Sequence, residues 1–550
     1  MGCSSGGQYS PSVESDWDNC GGCAPGFGGF DGLEFPSAMG PLHGQDFALD
    51  NGNRFVGGLG ATNFVQYFDA TQDMSFLKDK LLPLVGGVAD FYVSYAVPSN
   101  SAIFGPFGVR HGAPATEISL PFSCSQEVCH GAGNGAEANS HQDLSYMRMV
   151  LSKLLQYSNL DPKIGVTTVP AAKRSAWATA LAALADFPTV LATPQPNRSM
   201  KNWVPNTTIL AEFEMTIANS TNITRLPTAN ATRSGWHDNF GYPITHLAAM
   251  YPAAVIGRAT PEPLLQIAKD TLFAVGAGGD CDLSDPSQVD CDRPGCTLTQ
   301  NNNCTKNDAG WTPPNGYCLL WPGAGRLSDR NDSVGGPGLS SRYLLIHWGR
   351  SLNYSMTSSG WPSIMGGLEE IGAIPGLLGM LLDEGTVDGV IRLFPGWTSG
   401  SDASFTTLRG AGAFLVSATY NASTPTCETG CVTSGEIISE MGRRLTIDLR
   451  NFEVQAAKLC VFDGAGGGKA LPTTTTKEGY TRLDTVAGHR YALRLCGSAD
   501  KGLAPTVHFD KPHSRFPLKT TDGQSSPMAA VVAPRPTDEP LYRRRPVERQ

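Results

Sequence analysis

The chain has 550 residues, 41% hydrophobic and 17% charged, enough apolar material for more than one core and too folded a composition for a disordered protein. A net charge of -9 offers no attraction to phosphate backbones or anionic lipid, and no basic patch with interleaved aromatics occurs, which excludes nucleic acid as a partner. The longest apolar run, residues 371–382, is broken by three glycines and a proline and falls short of the roughly 20 residues that a membrane span needs, so no membrane attachment is expected.

Residues 1–56 are Gly- and Cys-rich and aperiodic. Apolar positions then recur at three and four residues, which predicts two helices over residues 57–97 and others over 143–157, 171–187, 244–251, 261–275, 340–354 and 371–382. Pro261 is expected in a first helical turn. Long loops rich in Gly, Asn, Pro and Ser separate these segments, and such loops carry function in compact domains. From Val390 the period becomes two, predicting strands at 390–394, 413–417, 444–449 and 491–495. After Gly502 the Pro- and Arg-rich tail lacks the apolar residues that offset ordering entropy. The expected organisation is an N-terminal segment (1–44), a helical domain (45–387), a β-domain (388–500) and a disordered tail (501–550).

Fourteen cysteines crowd into irregular segments rather than paired CxxC knuckles, so disulfides are a better reading than metal ligation. Cys124 with Cys129 and Cys427 with Cys431 are candidate local pairs, Cys460 and Cys496 sit in two expected strands, and the pairing of Cys281, Cys291, Cys296, Cys304 and Cys318 stays open. Nine N-x-[ST] acceptors, at Asn197, Asn206, Asn219, Asn222, Asn230, Asn303, Asn331, Asn353 and Asn421, report the same oxidising route. A secreted or lumenal location is expected. Residues 1–20 show neither a basic nor an apolar signal region, and Gly6 stands where a myristoylation signal needs Ser or Thr, so the N-terminus is expected to be incomplete. The aspartates between residues 280 and 292 fail the EF-hand spacing, and no metal or cofactor is expected.

Gly389 to Trp397 (GVIRLFPGW), followed by Asp402 to Ala418 (DASFTTLRGAGAFLVSA), resembles glycoside hydrolase family 95, the α-L-fucosidases and related α-L-galactosidases. Tyr67 to Leu77 (YFDATQDMSFL) is similar to a helix-opening segment of that family, which acid trehalases share, and Thr245-His246-Leu247 with Tyr251-Pro252 resembles its Ser-His-Leu and Tyr-Pro segment. The resemblance covers roughly residues 45 to 500. It implies a mainly α protein, an (α/α)6 toroid followed by a small C-terminal β-sandwich, and hydrolysis with inversion. Eight helical segments are fewer than the twelve of a complete toroid, which agrees with a truncated chain.

Inversion needs two carboxyl groups, one to protonate the leaving oxygen and one to activate water. Ser123-Cys124-Ser125-Gln126-Glu127 resembles the family's Ser-x-Ser-Pro-Glu segment, which implies that Glu127 is the general acid, with Gln126 in place of proline. Pro121, Phe122 and Val128 could raise its pKa by desolvation. Glu369, with Glu370 as second choice, falls where the family places its aspartate base; acids opening a helix are the ordinary alternative. His246 matches a sugar-binding histidine, although Tyr242 and Pro243 replace the histidine that precedes it in the family. Trp236, His237 and Trp361 lie in loops beside these motifs and could stack on a sugar. Asn51 and Asn53 are the local candidates for the asparagines that assist the base, an Asn-Gly turn being the bland reading. The expected partner is a glycan or oligosaccharide substrate, and the oligomeric state is open. The alternatives are the same toroid acting on another sugar, as an α-L-galactosidase or trehalase-like α-glucosidase, and a carbohydrate-binding glycoprotein with a decayed site.

Overall fold

The computed structural model describes residues 54–104, 108–109, 114–121, 123, 136–158, 169–192, 207–219, 222–225, 245–277, 296–298, 304–306, 317–327, 372–397, 402–423, 430–450, 452, 459–464 and 470–495. All of them belong to one compact unit spanning residues 1–498.

Helix α1 (Val56–Thr71) ends on Gln72 in the left-handed region, and Asp73 then accepts hydrogen bonds from the backbone N–H groups of Ser75 and Phe76 to start the next helix. That helix runs through a turn at Met74–Phe76 and a π-helical stretch at Leu77–Leu81 into α2 (Leu82–Tyr95), so the two helices expected over 57–97 are present. β1 (Val97–Pro98) pairs with β2 (Ile118–Ser119), and β3 (Ala136–Ala138) leads into α3 (His141–Ser158) and α4 (Ala171–Ala183). Phe68, Leu77, Val85, Tyr92, Leu144 and Leu151, all fully buried, pack α1 to α3 into one core.

Small strands interrupt the helical part, a feature absent from the sequence reading. β4 (Thr189–Ala192) pairs with β5 (Thr207–Leu210), and β6 (Met215–Asn219) lies between β3 and β7 (Asn222–Arg225). The helix expected over 244–251 is only a 3-10 turn, Thr245–Leu247, followed by turns through a cis Tyr251–Pro252 bond. α5 (Leu264–Ala277) starts after Pro263 rather than at Pro261, whose carbonyl accepts from the Leu265 N–H instead. A hairpin of β8 (Cys296–Leu298) and β9 (Cys304–Lys306) precedes α6 (Tyr317–Leu327), a helix that the pattern did not reveal because Pro322 lies inside it. α7 (Ala373–Leu381) crosses α6 where Gly325 and Gly376 meet: a Cβ on Gly325 would lie 2.3 Å from the Gly376 carbonyl oxygen. The helix expected over 340–354 lies outside the described residues. Seven α-helices of eight or more residues occur among the described residues.

The strands that follow make two five-stranded sheets. One has the order β10 (Leu382–Asp383), β11 (Ile391–Leu393), β15 (Arg444–Asp448), β18 (Thr481–Asp484), β17 (Thr474–Thr475), and the other β12 (Ala403–Gly410), β13 (Phe414–Asn421), β14 (Cys431–Ser439), β19 (Arg490–Leu495), β16 (Leu459–Asp463). Leu393, Ile447 and Leu483 of the first share a core with Phe414, Val416, Ile437 and Leu493 of the second, so the sheets face one another. Gly435 on β14 suits their close approach, since a Cβ there would lie 3.3 Å from the Leu393 side chain of the facing sheet. Cys460 on β16 is disulfide-bonded; the expected partner, Cys496, lies outside the described residues, as do Cys124, Cys129 and Cys427.

Candidate active site

β3 passes into α3 through Asn139, which holds a positive φ of 50°. Its side chain accounts for the conformation: Oδ1 accepts from the Leu120 N–H at 2.9 Å, while Nδ2 donates to Ser119 Oγ at 3.0 Å and to Glu214 Oε2 at 2.7 Å. This turn delivers His141 and Asp143, both fully buried, at the start of α3.

The segment between β5 and β6 is clamped against the same turn, because the His141 N–H donates to the Glu212 carbonyl at 2.6 Å and the Glu214 N–H to the Ala138 carbonyl at 3.0 Å. Glu212 is thereby buried beside the 3-10 turn, where His246 Nδ1 lies 3.8 Å from Glu212 Oε1. His246, the one site residue expected from sequence that falls among the described residues, thus sits in a polar cluster with Glu212 and His141.

Burial pushes the His141 pKa well below 6.5, and the nearby charges of His246 and Arg148 push it the same way. Its ring stacks on Phe187 at 4.6 Å, and the Arg148 guanidinium lies 5.0 Å over that same phenyl ring. Arg148 donates to the Leu184 and Ala185 carbonyls, and burial lowers its pKa against the opposing pull of Asp186. Both ring nitrogens of His141 lack a hydrogen-bond partner among the described residues. A neutral imidazole can donate a hydrogen bond through one ring nitrogen and accept one through the other.

Ser123 and Glu137 exchange two backbone hydrogen bonds of 2.8 and 2.7 Å, and Glu137 is itself fully buried. Glu127 lies outside the described residues, as do Glu369, Glu370, Trp236, His237, Trp361, Asn51 and Asn53. Among the described residues, α7 begins at Ala373 and holds no acid in its first turn. Sequence reasoning did not single out His141, Asp143 or Glu212. The available signal was the run Glu137 to Asp143, three of whose members are ionisable, leading into an amphipathic helix.

No family model matches the chain, and no curated protein matches it. Among solved structures, a chain named as a kojibiose phosphorylase, from the human microbiome, is similar at a TM-score of 0.35 and 8% identity, over 77% of this chain and 48% of that one. The present chain therefore spans about half the length of the structure that it matches.

Proposed function

We propose that the protein is a secreted or lumenal inverting exo-glycosidase that removes terminal L-fucose or a closely related sugar from glycans, built as an (α/α)6 toroid followed by a β-sandwich. The reading is carried by the segments GVIRLFPGW and DASFTTLRGAGAFLVSA, which resemble family 95, in a chain where the motif histidine His246 is buried beside Glu212 and His141.

In this reading Glu127 protonates the leaving oxygen, and Glu369 or Glu370 activates water from the opposite face, about 6.5–9.5 Å away. The glutamate base is one methylene longer than the family aspartate, so it reaches further toward the water. His246, Trp236, His237, Trp361, Asn51 and Asn53 line the sugar. Desolvation by the residues flanking Glu127 keeps the acid protonated near neutral pH.

A panel of aryl α-glycosides tests the proposal, with the product anomer followed by NMR. Expected are turnover of the α-L-fucoside or α-L-galactoside with inverted configuration, and a loss of about 10²-fold or more in kcat for Glu127→Gln. Retained glycan binding with no turnover of any glycoside would make the protein a binding module, and unchanged turnover in Glu127→Gln would remove that residue from the chemistry.

A further inference from the structure

A cavity of about 330 Å³ lies where α1, α6 and α7 meet the first strands of the β-region. Its walls include Asp69, Arg258, Arg326, Asp383, Glu384 and Arg409, and none of His141, Glu212 and His246 borders it. The volume is at the lower end of the range for small-molecule sites, about 300–1,000 Å³.

The charges around it are compensated one by one. Arg258 Nη1 is 3.2 Å from Asp383, Arg326 Nη2 is 3.0 Å from Glu384, Asp69 is 2.6 Å from the Lys153 ammonium, and Arg409 Nη1 is 2.6 Å from Glu440. A ligand of either sign would meet no net field, whereas a neutral ligand rich in hydroxyls would meet fixed donors and acceptors of both kinds. Beside the polar Gln66 and Thr386, the wall carries Leu378 and Pro375 of α7, Pro322 of α6, Leu408 of β12 and Tyr251. Polar forks that bind vicinal hydroxyls, set beside apolar walls that pack on C–H faces, are the chemistry of saccharide recognition.

We infer that this cavity is a second saccharide-binding site, separate from the His246 cluster, that takes one or two neutral sugar rings. It does not depend on the hydrolase reading, because its residues are not those assigned to catalysis. A bound glycan here would touch both the helical part and the β-region.

The test uses a photoreactive, diazirine-bearing neutral disaccharide on the full chain, with adducts mapped by peptide mass spectrometry. Adducts are expected on peptides carrying Leu378 or Leu408, competed by the unlabelled disaccharide and not by inorganic phosphate. Leu378→Trp fills the cavity from a partly exposed helical position and is expected to cut that labelling at least tenfold. Gln66→Trp, which fills it from α1, gives the same readout should Leu378→Trp fail to fold. Adducts confined to other peptides, labelling undiminished in the filled variants, or displacement by phosphate would each overturn the inference. Labelling that persists in Glu127→Gln keeps the outcome distinct from failure of the catalytic proposal.

Discussion

Asp69 carries a negative charge into the interior of the helical part, where Lys153 meets it at 2.6 Å and Tyr157 donates to it at 2.8 Å. The Lys153 ammonium also donates to the Thr386 carbonyl at 2.8 Å, and burial, with Asp69 beside it, raises the Tyr157 pKa well above 10. Removing one partner of such a pair strands the other charge in low dielectric. Asp69→Asn is therefore expected to lose about 3–5 kcal/mol in a urea titration, while the double variant Asp69→Asn with Lys153→Met loses less than the two single changes summed. Additive losses would show that the two side chains do not act together. The sequence exposed Asp69 only as a member of YFDATQDMSFL, and its buried partners, 84 and 88 residues away, left no local trace. His246 was legible because a short motif surrounds it. Glu212 was not: its burial depends on strand pairing between segments about 75 residues apart, as the Asn139–Glu214 bond illustrates.

Several elements with an unbroken period fall where the sequence places them, and two strands with a break in it do not show in the pattern. α3 extends only two residues ahead of the expected start, and β13, β15 and β19 fall on their expected segments. β12 alternates between core and solvent, but a register shift between Phe405 and Leu408, with Thr407 at φ 54°, interrupts the period of two and hid the strand. β14 was hidden by its own composition, CVTSGEIIS, whose central Gly435 is required by the opposing sheet and reads as a loop in isolation. The crossing of α6 and α7 depends likewise on small residues. A Cβ on Gly376 would stand 2.9 Å from the Trp321 carbonyl carbon and oxygen, backbone atoms that cannot swing aside. Gly376→Ala is expected to force the helices apart at a loss of about 1–3 kcal/mol, visible as a lower urea midpoint; an unchanged midpoint would mean that the crossing is looser than the backbone geometry shows.

At the scale of the whole unit, the helical part and the sheets are joined by polar contacts that converge on a few residues after α7. Arg258 and Arg392 both reach Asp383, at 3.2 and 3.1 Å, Arg326 reaches Glu384, and the Gly412 N–H donates to the Asp69 carbonyl at 2.8 Å. This gives Arg392 of GVIRLFPGW a structural role: it binds Asp383 and Asp388 and lies 5.4 Å over the Tyr480 ring. Asp383 is fully enclosed, and burial alone would raise its pKa, but Arg258, Arg392 and Arg326 outweigh that and hold it below 3.8. A carboxyl whose folded pKa is depressed contributes stability that is complete above its unfolded pKa and is lost as pH falls through the folded value. The wild-type junction is accordingly expected to persist until pH drops below the ordinary aspartate range. Arg258→Gln removes one of the three guanidiniums, so the acid transition, followed by near-UV circular dichroism, should move to higher pH, and the helical and β parts should unfold in separate steps. A shift to lower pH, or none, would mean that Asp383 is not the group whose protonation releases the junction.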